Sequence, residues 1–155
     1  MSALRRRHDG YTLIELVVVV TILVTLAGLA MPLAKVGVRR AKEAELRAAL
    51  REMRNAIDEY KRYSDAAFIP PDVGTDGYPP DLEVLVEGVD LVGQIDTRVR
   101  FLRRIPIDPM TGEAEWGKRS FQDDWDSLAW GGENVFDVYS LSQGVGLNDV
   151  PYSQW

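Results

Sequence analysis

The pattern of apolar and polar positions divides the chain into three stretches. From Leu13 to Ala34 the sequence is apolar on every helical face, and Glu15 is its one charged residue. At 1.5 Å per residue this run would rise about 33 Å as a helix, enough to cross a bilayer core. The period then changes. Leu46, Leu50, Met53, Ile57 and Tyr60 step by 4, 3, 4, 3, which is one stripe on a helix otherwise covered by charge, with Arg47, Arg51, Arg54 and Lys61 off it. That spacing predicts an amphipathic helix over residues 35–63 whose stripe is buried against the rest of the domain. Beyond it the pattern breaks into short pieces. Pro70-Pro71, Gly74, Asp76-Gly77 and Pro79-Pro80 mark a loop. Asp81 is an N-cap for a short helix from Leu82 to Val86, with Gly88 as its stop. Residues 115–121 and 134–141 read as strands, the second with Val135, Asp137 and Tyr139 alternating against Phe136 and Val138. Residues 89–100 show no period.

Two features interrupt the apolar run. Gly28 and Pro32 weaken the helix, and a kink is expected there because proline removes a helical hydrogen bond. Glu15 lies near the start. A carboxylate inside an apolar span costs roughly 2.5–3.5 kcal/mol at a helix centre, so its presence suggests a role beyond anchoring. Residues 1–10 precede the run as a basic leader carrying Arg5, Arg6 and Arg7, too short and polar for the apolar core of a secretory signal. The arginines would keep the leader in the cytoplasm.

Gly10-Tyr11-Thr12-Leu13-Ile14-Glu15, followed by the apolar run, resembles the class III signal of type IV pilins and pseudopilins. The resemblance implies a prepilin peptidase that cuts after Gly10 and methylates the new N-terminus at Tyr11, which stands where the family usually has Phe. Pro32 falls where pilin stems often carry a proline. The implied division is a leader (1–10), a transmembrane and filament-core helix (11–34) and a periplasmic helix with a small head (35–155). The implied fold is α+β, pilin-like: a long N-terminal helix with a small antiparallel sheet packed on its second half. Cleavage would place an ammonium at Tyr11, and the Glu15 carboxylate of a neighbouring subunit is the partner expected for it in a filament.

Three further motifs resemble the major pseudopilin of the type II secretion system: Tyr78-Pro79, the run from Leu102 to Pro109, and Phe136-Asp137-Val138-Tyr139-Ser140-Leu141. The stretch from Met110 to Gly132 departs from that family's commoner pattern. The resemblance implies a self-assembling, non-catalytic subunit. It would be held in the bacterial inner membrane by a single pass with its head in the periplasm, then extracted into a periplasmic filament that drives or scaffolds protein export. Its implied partners are other copies of itself, minor pseudopilins, the inner-membrane assembly platform and the prepilin peptidase. A type IV pilin or minor pilin of a surface pilus shares the stem and stays open as an alternative, as do a membrane-anchored periplasmic enzyme and a binding module. In the family, the loop after the last strand commonly binds calcium. Here Asp149 matches an implied late acidic ligand, with the Leu141 carbonyl and Asn148 as further candidate ligands, while Gln143 replaces an acid and the loop is shorter; a plain turn-rich C-terminus stays open as the alternative.

Charge and composition narrow the chemistry. Residues 35–63 hold nine Lys/Arg against five Asp/Glu, whereas residues 64–155 hold six against seventeen. A basic stem thus carries an acidic head, which disfavours nucleic-acid binding by that head. There is no cysteine, so no disulfide framework exists, and the one histidine, His8, lies in the leader. A chain starting at Tyr11 would lack the usual zinc ligands and most general bases. Asp123, Asp124 and Asp126 form the densest acidic cluster and read as solvated loop acids rather than a metal centre. Trp116, Trp125, Trp130 and Trp155 read as core or loop-pinning residues.

Overall fold

Helix α1 runs Leu13–Asp65 in the computed structural model, which describes residues 11–70, 72–93 and 97–155, the side chains of helix residues 28–34 excepted. The chain forms two compact units, Met1–Arg39 and Arg40–Trp155, and α1 contributes to both.

In the first unit α1 starts at a cap. The Thr12 hydroxyl accepts from the Glu15 amide at 3.3 Å, and the Thr12 carbonyl accepts from Leu16 at 3.1 Å. Thr12 and Glu15 stand at the two sequence positions of a capping box, with the acid in the first turn, where the helix dipole favours it. Among the described residues the helix then shows no buried face as far as Ala27: Leu13, Ile14, Leu16 and Val17 to Val20 are all exposed. Its two hydroxyls are satisfied internally, Thr21 donating to the Val17 carbonyl at 2.7 Å and Thr25 to that of Ile22 at 2.8 Å. The backbone is helical through Gly28 and Pro32, whose side-chain surroundings lie outside the described residues. Among the described residues no helix is long and apolar enough to cross a membrane.

The second unit is built on the outer part of α1. Leu46, Leu50, Met53, Ile57 and Tyr60, the stripe read from the sequence, are all buried, joined by Ala49 and Ala56. Burying such side chains is worth about 1.5–3 kcal/mol each. Helix α2, Leu82–Glu87, lays Leu82 and Leu85 on that stripe. The Asp81 carboxylate accepts from the Leu82 amide, and Gly88 ends the helix at φ 84°, its amide bonded to the Val84 carbonyl. Gly88 has no room for a side chain either, because a Cβ there would meet the Val99 carbonyl at 2.6 Å.

Two antiparallel pairs complete the α+β unit. Strand β1, Val89–Asp90, pairs with β2, Arg98–Val99; β3, Trp116–Arg119, pairs with β4, Asp137–Ser140, with Gly117 opposite Tyr139. The strands expected at 115–121 and 134–141 are thus present but shorter. The alternation expected in β4 fails. Val138, Tyr139 and Ser140 are all buried because α1 covers one face and the 120–134 loop covers the other. On that outer side the Tyr139 hydroxyl donates to the Leu128 carbonyl, and the Arg119 guanidinium lies 4.2 Å over the Tyr139 ring. Tyr139 lies across Gly117 so closely that a Cβ at 117 would come within 2.2 Å of the ring.

The three head motifs singled out in the sequence have structural reasons. Asp108 is fully buried; it accepts from the Met110 amide at 2.7 Å and from the Ser140 hydroxyl at 2.5 Å, tying the 108–113 turn to β4. Tyr78 and Phe136 meet edge to face at 5.2 Å, and Phe121 packs against both. The Pro79 carbonyl accepts from Val135 at 2.8 Å.

Candidate functional site

The processing and assembly site predicted from the sequence begins outside the described residues, since Gly10 is not among them. Tyr11 and Glu15 are described, and both are exposed. Among the described residues nothing pairs with the Glu15 carboxylate or the Tyr11 side chain. The Thr12 cap holds the Glu15 backbone in the first helical turn, so the carboxylate is fixed in position along the helix and its bonding capacity is unused. The sequence reading missed Thr12, although the Thr-x-x-Glu spacing was the signal for it.

The terminal loop, residues 141–151, is the second candidate site. Its conformation is set by Glu43, a residue that the sequence reading also missed. Glu43 is 4% exposed, and its carboxylate accepts from the Leu147 amide at 2.8 Å and the Tyr152 hydroxyl at 3.1 Å. The signal for it was position, because Glu43 continues the Leu46–Tyr60 stripe by one more step of three and so points inward. A second tie comes from Arg54. Its Nε lies 2.6 Å from Asp137, and its Nη2 donates to the Val138 carbonyl at 3.1 Å and to the main-chain oxygen of Trp155 at 2.7 Å. The loop is closed by the Gly146 amide on the Val150 carbonyl, by the Asp149 amide on Gly146, and by the 3-10 turn Tyr152–Gln154.

The residues of the calcium expectation lie within this loop. The Asn148 side-chain oxygen is turned back on its own loop toward the Val150 amide, at 3.4 Å. Asp149 sits in the left-handed region at φ 59°, and it is the one carboxylate of the loop. Leu141 has an exposed side chain and follows β4 directly. Among the described residues no three or more Asp, Glu, His or Cys side chains gather in a metal-holding group. Calcium takes six to eight oxygens, usually with several carboxylates. The loop itself supplies one carboxylate, and the buried Glu43 carboxylate beside it is engaged by an N–H and an O–H.

The acidic cluster divides by role. Asp123 is not a free solvated acid: it accepts from the amides of Ser120 at 2.7 Å and Gly131 at 3.1 Å, bridging the loop. Those two backbone bonds hold its carboxyl below the usual carboxylate range. Asp124 and Asp126 are exposed. The tryptophans divide as well. Trp116 is in the core, Trp130 bonds the Asn134 carbonyl at 2.8 Å beneath Lys118, and Trp155 packs on Tyr152. Trp125, by contrast, is 79% exposed.

Comparison with known proteins rests on the N-terminal stretch. The family model for the prokaryotic N-terminal methylation motif matches residues 5–31. No curated protein and no solved structure matches the chain. The matched motif is the class III prepilin signal. With the α+β fold of long helix and small antiparallel sheet, it makes the chain similar to type IV pilins and pseudopilins, and it implies processing by a prepilin peptidase.

Proposed function

We propose that this type IV pilin-like chain is a structural subunit of a type II secretion pseudopilus, without catalytic activity of its own. The observation that carries the reading is the methylation motif leading into a helix whose apolar surface has no buried face and whose Glu15 carboxylate has no partner among the described residues. Such a surface needs lipid before assembly and neighbouring stems afterwards. The head supports secretion over adhesion through its three pseudopilin-like motifs, each of which has a packing role in this fold. In this reading the apolar helix spans the inner membrane, the head lies in the periplasm, and export of folded proteins depends on the filament.

Deleting the gene tests the assignment. A secretion subunit, once lost, leaves secreted enzymes in the periplasm while surface pili persist. Loss of surface pili with secretion intact would assign the chain to a surface pilus instead. Mass spectrometry of the membrane-extracted protein should show a chain starting at methylated Tyr11. An intact leader in cells that process other prepilins would overturn the processing step.

A further inference from the structure

The outer part of α1 carries a groove that the stripe does not fill. A cavity of about 340 Å³ opens there, lined by Arg47, Leu50, Arg51, Arg54 and Trp155 among others. Its three arginines are in different states. Arg54 is neutralised by Asp137. Arg47 lies 4.2 Å over the Trp155 ring, a cation–π contact, and no acid pairs with it among the described residues. Arg51 is exposed, and among the described residues nothing pairs with it. Leu50, Val150 and Trp155 give the groove an apolar floor. A fitting ligand is therefore aromatic and flanked by carboxylates.

The same chain presents such a ligand. At the tip of the 120–134 loop stands Asp124-Trp125-Asp126, with the indole largely in solvent and neither carboxylate paired among the described residues. The loop beneath is fastened by Asp123 to two amides, by the Ser127 amide on the Asp124 carbonyl at 3.0 Å, and by Arg119 on the Ser127 carbonyl at 2.8 Å. A tip held in this way loses little freedom on binding.

We propose that the Asp124-Trp125-Asp126 tip of one copy docks in the Arg47–Arg51 groove of a second copy. The indole enters against Leu50 and Trp155, and the flanking carboxylates take the two guanidiniums that no acid pairs among the described residues. Tryptophan and arginine buried together at an interface centre are typical of contacts that dominate affinity. The contact lies between heads and is separate from any stem contact. It rests on the self-assembly reading only in needing a second copy.

Cross-linking of the full-length chain in its own membrane tests this. The native chain has no cysteine. One copy carries Leu128→Cys, exposed beside the tip, which keeps Asp124, Trp125 and Asp126, and the other carries Gln154→Cys, which keeps the arginines. A short bis-maleimide should join the two copies, whereas Val73→Cys, fully exposed and far along the sequence, should give no product with either. Arg51→Glu in the second copy should lower the cross-link about thirtyfold, the loss typical of a hot-spot residue, and Asp124→Arg in the first should recover it. Filaments without the 128–154 product, or a product indifferent to Arg51→Glu, would overturn the docking and leave the filament reading standing. A charge-sensitive product in cells that form no filaments would support the docking and count against the filament.

Discussion

Helix α1 carries two glutamates in opposite circumstances. Glu43, in the unit starting at Arg40, is buried and has its carboxylate taken up by the Leu147 amide and the Tyr152 hydroxyl. Glu15, in the unit ending at Arg39, is exposed, and only its backbone is engaged. The surrounding surfaces differ in the same way. Around Glu43 the apolar side chains form one stripe covered by the chain's own head, while around Glu15 they face outward on all sides. The lesson is that the outer region is completed by the chain itself. The inner region leaves its apolar side chains and the Glu15 carboxylate uncovered among the described residues.

The sharpest way to break this contrast is Glu15→Ala. If the carboxylate serves a neighbour's N-terminal amine, its loss strands a buried charge at about 3–5 kcal/mol per contact. Filaments should then vanish while the processed band stays at its wild-type level. Normal filaments would show Glu15 to be an ordinary cap-adjacent acid. On the other side, Ile57→Ala opens a hole in a stripe the head covers, and should cost about 2–5 kcal/mol in thermal or denaturant unfolding. An equal truncation of exposed Val18 should leave unfolding of the head unchanged.

Glu43→Gln tests the self-completed carboxylate with a smaller expected loss. Both donors meet the same oxygen, Oε1, so an amide oxygen can accept from both, but the charge-assisted bonds weaken, and about 1–3 kcal/mol of head stability should go. Greater proteolysis near Leu147 would accompany it. Acid offers a gentler probe. Asp123 has its carboxyl lowered by the Ser120 and Gly131 amides. A lowered carboxylate stabilises the fold above its unfolded value and loses that contribution as pH falls through its folded one. Stability should hold from neutrality to about pH 5 and slope down below about pH 4. Asp123→Asn should flatten part of that slope, as followed by Trp fluorescence. The smallest expected effect is that of calcium. With Glu43 pinning the terminal loop, melting of the full chain in detergent should not move between millimolar calcium and chelator. A rise corresponding to about 2.7 kcal/mol, the gain at a hundredfold excess over Kd, would restore the loop as a metal site.

What could be read in advance follows from how far each signal repeats. The Leu46–Tyr60 stripe and the Asp81-to-Gly88 helix were legible because periodicity and capping are local rules repeated or bounded within a few residues. The β1 and β2 strands were not, since two residues apiece leave no room for alternation. Alternation misled in β4 because the 120–134 loop returns to cover its outer face, which is a tertiary fact. In the candidate sites, Gly10 to Glu15 were legible as a motif. Glu43 was hidden among the many charges of the stem, and its stripe position became meaningful only once Tyr152 and Leu147 were seen above it.

Arg119 has a consequence of another kind. Almost wholly buried, it donates to the Ser127 carbonyl at 2.8 Å and the Ser153 carbonyl at 2.9 Å, and approaches Asp137 at 3.5 Å. One planar cation thus joins the tip-bearing loop, the C-terminal turn and the last strand. None of the three can open by itself without leaving a carbonyl or a charge unserved, so they should breathe as a single cooperative unit. In amide hydrogen exchange, protection around Ser127 and around Ser153 should rise and fall together. Replacing Arg119 with lysine, which lacks the fork, should uncouple the two clocks.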